Sequence, residues 1–432
     1  MKKSINMLAL YKIASWLLYG VSRPFLEAWS RLEGSEGIWA ARLGYVPKHI
    51  IDTGPYDIWM QAVSTGEVGV AEAIVKAIDK RTNDIKILIS ATTPAGIARA
   101  MSSLAPRCSV IPYPLDFPQV AQRIAGAIRP RLYACLETEL WPNLIRTVQD
   151  MGSKTILING RISAQSLPRY RKIGALIHHL LKDFSGICAI SEVNKDRLAA
   201  IGAPRERIYV TGNAKFEGML SRPDRHRVGV IRECLDINES QKVIVAGSLR
   251  GGEEKPVIDA YLTLKHSFPG LVLFLVPRHI NKVSCIALYL KDKNIKFQLW
   301  SKLEMGEGRV CDVILVDLMG PLFDLYGLAS AAFVGGSLVP KGGQNIMEPA
   351  AWARPVFYGP HTDNFEEARS ALEIYGGGRE VRCAKDLADA IKPVLDDPQI
   401  QYEQGCAAKR ALMELSHGAA DKQAEILLKL LN

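Results

Sequence analysis

The stretch IWMQAVSTGEVGVAEAIVKAIDK at residues 58–80 decides the fold. Its opening, Ile58–Ala62, is a short apolar run with little polar alternation, the pattern of a strand buried on both faces. Ser64-Thr65-Gly66-Glu67 breaks the run, and Gly69–Lys80 spaces its apolar residues at helical intervals. Strand, turn and helix in quick succession make one half of a βαβ unit. The theme repeats outward. Ile85–Ser90, Ser109–Ile111, Arg131–Leu136, Thr155–Ile158, Gly186–Ala189 and Ile208–Val210 read as strands, with helices over Pro94–Ser103, Phe117–Ile128 and Leu167–Leu181.

A polar stretch around Ser221–Arg227 interrupts this rhythm, which then restarts. Lys242–Ala246, Leu271–Val276, Val313–Leu315 and Ala332–Val334 read as strands, and Glu254–His266, Lys282–Lys291 and Asn345–Trp352 as helices. The expectation is an α/β chain of two doubly wound, Rossmann-like domains, over residues 31–211 and 212–432, facing a cleft. Ligands of such sheets bind beyond the carboxyl ends of the strands.

The 432 residues, 48% hydrophobic and 23% charged, exclude wholesale disorder. The eight cysteines lie far apart, with no CxxC pair, and read as packing residues of a reducing compartment. A net charge of +9 suggests an anionic partner. Lys/Arg runs never exceed two residues and aromatics make up 7%, which argues against nucleic acid.

Ile5–Trp29, preceded by Lys2 and Lys3, is rich in Leu, Ile, Ala, Trp and Tyr, with no small-residue cleavage site after it. Lys12 and Arg23 interrupt the apolar run, so a spanning helix is disfavoured. At about 100° per residue, Lys12, Ser15, Tyr19, Ser22 and Arg23 share a face, and Leu8, Leu10, Trp16, Leu17 and Leu18 fall largely elsewhere. Residues 1–30 therefore read as an interfacial, membrane-associated helix, apolar side in lipid and basic stripe toward anionic headgroups. The competing reading is a helix packed on the protein's own core.

There is no GxxxxGK[ST], no GxGxxG and no Asp-x-Asp, so ATP hydrolysis, dinucleotide redox chemistry and the usual metal clamp for a diphosphate sugar donor lose support. Glycine-rich loops follow two strands of the second half, Gly247-Ser248-Leu249-Arg250-Gly251-Gly252 and Gly335-Gly336-Ser337 with Lys341-Gly342-Gly343-Gln344-Asn345, ahead of a helix carrying Glu348. With Pro277-Arg278-His279 ending another strand, they suit an anionic ligand. In the first half, Glu67 opens a helix, where a carboxylate can also serve only to complement the dipole. Glu137 and Glu139 follow the Arg131–Leu136 strand, and Lys215 lies near the junction of the halves.

These residues carry a resemblance. Ser64–Glu67, Glu-Thr-Glu-Leu-Trp-Pro-Asn at 137–143, Asn-Gly-Arg-Ile-Ser at 159–163, Gly-Asn-Ala-Lys-Phe at 212–216, Val-Pro-Arg-His at 276–279, Phe-Val-Gly-Gly-Ser-Leu at 333–338, Gly-Gly-Gln-Asn-Ile-Met-Glu-Pro-Ala at 342–350 and Gly-Pro-His-Thr-Asp-Asn-Phe at 359–365 together resemble the 3-deoxy-D-manno-octulosonic acid (Kdo) transferases that act on the lipid A precursor. The resemblance implies a GT-B-like glycosyltransferase of lipopolysaccharide biosynthesis at the cytoplasmic face of the inner membrane. It implies inverting, metal-independent transfer of Kdo from CMP-Kdo to lipid IVA, with no cofactor. Glu67 would accept the proton, and Glu137 and Lys215 would stabilise the transition state. Donor contacts would come from Pro277, Arg278, Met319, Gly320, Pro321, Asn345, Ile346, Met347 and Glu348. The family usually has Glu where this chain has Pro321, so a side-chain contact is lost there while backbone donation nearby can persist.

The basic cluster Arg161, Arg169, Arg171 and Lys172 fits contact with acceptor phosphates, or else a solvated helix face. Two other classes stay open at this point, a UDP-sugar transferase or epimerase of the same fold and a non-catalytic membrane adaptor.

Overall fold

The computed structural model describes residues 7–33, 37–220, 222–416 and 418–432. Lys2, Lys3 and Ile5 of the N-terminal segment, and Ser221 of the polar stretch, lie outside the described residues. The chain forms two compact units, Met1–Gly218 with Ser416–Asn432, and Met219–Leu415.

In the first unit, β1 (Ile58–Ala62), β2 (Ile87–Ala91), β3 (Ser109–Pro112), β4 (Leu132–Leu136), β5 (Lys154–Gly160), β6 (Gly186–Ala189) and β7 (Ile208–Val210) form one sheet in the order β3-β2-β1-β4-β5-β6-β7. Neighbouring strands are parallel throughout. Alternation along β1 explains its largely apolar reading. Ile58, Met60 and Ala62 pack with the helix Thr65–Asp79 on one face, and Trp59 packs with Ile124, Leu144 and Leu180 on the other. The helix expected over Leu167–Leu181 is two helices, Leu167–Lys172 and Gly174–Leu181, because Ile173 leaves helical geometry at φ −103°, ψ 22°.

The second unit repeats the architecture. Its strands are β8 (Val243–Leu249), β9 (Val272–Pro277), β10 (Phe297–Leu299), β11 (Val313–Leu315), β12 (Ala331–Val334), β13 (Val356–Tyr358) and β14 (Gly378–Glu380). They form a parallel sheet in the order β10-β11-β9-β8-β12-β13-β14. Sequence patterning misses β10, β13 and β14, each three residues long.

The division at 211/212 needs correction at both ends. Ala214 N–H donates to Asn159 Oδ1 (3.0 Å) in β5, so residues 212–218 stay with the first sheet. The last helix, Ala419–Leu431, also returns to it. Its Ala420, Ala424 and Leu427 join Val68, Ala71 and Ile74 in one buried cluster, and Gln423 Nε2 donates to Thr211 Oγ1 (3.1 Å). Cysteines divide too. Cys108, Cys135 and Cys188 are packing residues as expected, but Cys234, Cys285 and Cys383 are exposed.

Met7–Glu33 is one helix, and no described helix is long and apolar enough to cross a membrane. Its orientation corrects the expected polar stripe. Ser15 and Tyr19 face the first unit rather than headgroups, with Tyr19 buried beside Leu43, Val120 and Phe117. Tyr11 OH donates to Asp116 (3.0 Å), and Asn143 Nδ2 donates to Ser15 Oγ (2.9 Å). Lys12 and Arg23 do face outward. Leu10, Ile13, Leu17, Val21, Phe25 and Trp29 form an exposed apolar ridge, Phe25 reaching 78% exposure.

Candidate active site

In a doubly wound sheet, the loops at the point where strand order reverses splay apart and leave room for a ligand. In the first unit that point lies between β1 and β4, and the loops after these strands carry Glu67 and Glu137. Ser64 precedes the helix Thr65–Asp79 in extended conformation, placing Glu67 in the first turn. The carboxylate folds back. Val63 N–H donates to Oε2 (2.8 Å) and the Ser64 hydroxyl to Oε1 (3.0 Å). This resembles a capping box, but both bonds end on the carboxylate and Ser64 accepts none from the helix.

Glu67 is 7% exposed. Burial first, then the charge of Glu137, push its carboxyl up to about 7, against the pull of the Val63 and Ser64 hydrogen bonds. A carboxylate with that affinity for protons is a serviceable base at neutral pH. Glu137 sits in the left-handed region at φ 55°, its N–H held by Ile158 O (2.9 Å). Its Oε2 accepts from Arg161 Nε at 2.9 Å. Glu139 accepts from the Trp141 indole (3.2 Å), and burial raises its carboxyl above the ordinary range.

Lys215 comes from the segment after β7, an edge strand of the same sheet. Asn213 and Asn159 hold the backbone of the short turn Ala214–Phe216. Its ammonium then reaches the Glu67 turn, so that a Cβ placed on Gly66 would lie 3.8 Å from Nζ. Glu67, Glu137 and Lys215 are therefore brought to one end of one sheet. Arg161 joins them, as the ion-pair partner of Glu137. Arg169 and Arg171 do not, lying exposed on Leu167–Lys172.

In the second unit the expected donor residues follow three strands of the sheet, β11 beside β9, and β12 one strand further on across β8. Pro277 and Arg278 follow or end β9, Met319, Gly320 and Pro321 follow β11, and Asn345, Ile346, Met347 and Glu348 follow β12. Arg278 and Met319 are exposed, and Ile346 and Met347 are buried. Pro321 occupies the position before the helix Leu322–Tyr326, whose Leu325 N–H donates to its carbonyl (3.0 Å). Asn345 Oδ1 accepts from Met347 N (3.3 Å), and its amide donates to Glu348 Oε1 (3.4 Å).

Sequence reading missed Glu253, which organises this end of the sheet. The order reverses between β8 and β12, and the buried Glu253 carboxylate ties the loops after both strands together. It accepts backbone N–H bonds from Arg250 (3.0 Å), Gly336, Ser337 (2.9 Å) and Leu338 (2.7 Å). The Gly335–Ser337 loop expected to cradle a ligand anion thus already holds an internal one. Gly335 packs so closely on Ser248 and Glu253 that a Cβ would come within 2.8 Å of both. The available signal was a Glu in the turn entering a helix after two glycines, a pattern that also fits a plain dipole partner. Among the described residues, no three His, Cys, Asp or Glu side chains gather as a metal site.

Residues 38–218 match the family described as 3-Deoxy-D-manno-octulosonic-acid transferase (kdotransferase). The chain is 32% identical over 374 residues to a 3-deoxy-D-manno-octulosonic acid transferase of Haemophilus influenzae, covering 86% of this chain and 87% of that one. It is also 34% identical over 349 residues to a bifunctional glycosyltransferase/methyltransferase of Fusobacterium nucleatum, spanning 80% of this chain and 54% of that longer protein. Among solved structures, the UDP-GlcNAc 2-epimerase of Neisseria meningitidis superposes with a TM-score of 0.61 at 15% identity, over 86% of this chain and 99% of that one. That likeness concerns the fold alone.

Proposed function

The chain belongs to the 3-deoxy-D-manno-octulosonic acid (Kdo) transferase family, a family of glycosyltransferases, and on that premise we propose that it moves Kdo from CMP-Kdo to a hydroxyl of the lipid A precursor lipid IVA with inversion. The observation that carries the reading is Glu67, a buried carboxylate raised to about 7 beside Glu137 and the Lys215 ammonium. In the proposed step the acceptor oxygen forms a bond to the anomeric carbon while its proton passes to Glu67. The bond to CMP breaks, and its electron pair leaves with the phosphate. Glu137, held by Arg161, stabilises the oxocarbenium-like charge on the sugar. Lys215 offsets the negative charge gathered around the reacting groups. Pro277, Arg278, Met319–Pro321 and Asn345–Glu348 form the donor site, and Arg161, Arg169 and Arg171 serve the acceptor phosphates.

The acceptor is a membrane lipid, which suits the apolar ridge of Met7–Glu33. A ridge lying along the bilayer surface, with Lys12 and Arg23 beside it, would hold the enzyme at the cytoplasmic face of the inner membrane. The test is incubation of the purified full-length chain with CMP-Kdo and lipid IVA, followed by mass spectrometry of the lipid. Addition of one or more Kdo residues is expected. An unmodified acceptor, together with a melting-temperature rise on UDP rather than CMP, would overturn the reading.

A further inference from the structure

We propose that Arg250 is a second guanidinium contact for the anionic part of the donor, beside Arg278; the proposal rests on the donor site described above. The ladder between β8 and β9 ends with Leu249 opposite Pro277, and Arg278 N–H donates to Leu249 O (3.0 Å). Arg250 and Arg278 therefore leave the two strands at neighbouring positions. Neither guanidinium has a hydrogen-bond or ion-pair partner among the described residues. Arg250 is nonetheless held in place. Its N–H is fixed by Glu253 (3.0 Å), the buried carboxylate that also gathers the loop after β12. Its side chain runs over Gly336, a left-handed residue at φ 69°, where a Cβ would lie 3.5 Å from Arg250 Cδ.

Two guanidiniums without partners, carried on neighbouring strand ends, suit an oxyanion that accepts from both. The planar fork of arginine matches a phosphate or a carboxylate in two-point contact. CMP-Kdo carries both groups, the nucleotide phosphate and the sugar carboxylate, so the chemistry Arg250 recognises is an oxyanion and the experiment separates its sources.

The full-length enzyme is titrated with CMP, and the KM for CMP-Kdo is measured, for the wild type, Arg250→Gln, Arg250→Lys and the remote surface control Arg410→Gln. A charge-assisted contact predicts a loss of about tenfold or more in Arg250→Gln, partly restored in Arg250→Lys and absent in Arg410→Gln. Weakened CMP binding assigns the contact to the phosphate. Unchanged CMP binding with a raised KM for CMP-Kdo assigns it to the sugar carboxylate. Values within twofold of wild type for both ligands in Arg250→Gln overturn the proposal while leaving the donor site intact, whereas a wild-type chain that fails to bind CMP overturns the donor site itself.

Discussion

Glu67 is where the chemistry narrows to one side chain. The sequence offers two readings of it, a general base or a dipole partner, and its surroundings separate them physically. A carboxylate kept only for the helix dipole is stabilised in its charged form. Glu67 is destabilised in that form, by burial and by Glu137, despite two hydrogen bonds. Its folded-state affinity for protons is raised, so the stability it contributes is full below the ordinary carboxylate range and is lost as pH rises through about 7. By that shift the loss is at most on the order of 3 kcal/mol. Glu67→Gln removes the charge, so its melting temperature relative to wild type should rise between pH 5 and pH 8. A dipole partner predicts the opposite trend, with a loss of about 0.3–1 kcal/mol at the higher pH. Glu253 teaches a complementary lesson. Three of its four partners are backbone N–H groups of a loop more than 80 residues away, with which no local pattern connects it.

The helix Met7–Glu33 shows how amphipathicity can be read correctly in outline and wrongly in orientation. Spacing finds the two faces, but not that the small polar residues on one of them have partners. Ser15 is bonded by Asn143, and Tyr11 by the half-buried Asp116, which also accepts from Asn143 N (3.1 Å) and Leu144 N (2.8 Å). The inner face is thus part of the first unit, anchored at the start of the helix that follows the Glu137–Trp141 loop. Removing the whole helix would unmask Leu43 and Val120, so membrane binding is better tested on the ridge alone. Replacing Leu17, Val21 and Phe25 together by Ser should leave stability nearly unchanged, since exposed substitutions usually stay within about 0.5 kcal/mol. Flotation with phosphatidylglycerol-containing vesicles should then show most of the wild type bound and most of the variant free. A variant that floats as well as wild type would remove the ridge from the account.

Across the whole molecule, what was legible follows burial on two faces. Strands such as Ile58–Ala62, Leu132–Leu136 and Val272–Pro277 read plainly because every residue is buried. β10 and β14 are edge strands only partly buried, with no apolar run to register, and the return of Ala419–Leu431 to the first sheet depends on contacts no local pattern encodes. In the first unit the candidate catalytic residues were legible as a set, while their electrostatics and the Arg161 partner of Glu137 required the fold. The central claim, that Glu67 takes the acceptor proton in Kdo transfer, is tested most directly by the pH dependence of kcat/KM for wild type and Glu67→Gln. The wild type should rise with pH to a plateau above about 7, and the variant should fall by about 10²–10⁴-fold and lose that rising limb. A Glu67→Gln enzyme that keeps more than roughly a tenth of the activity, with the same pH profile, would contradict it.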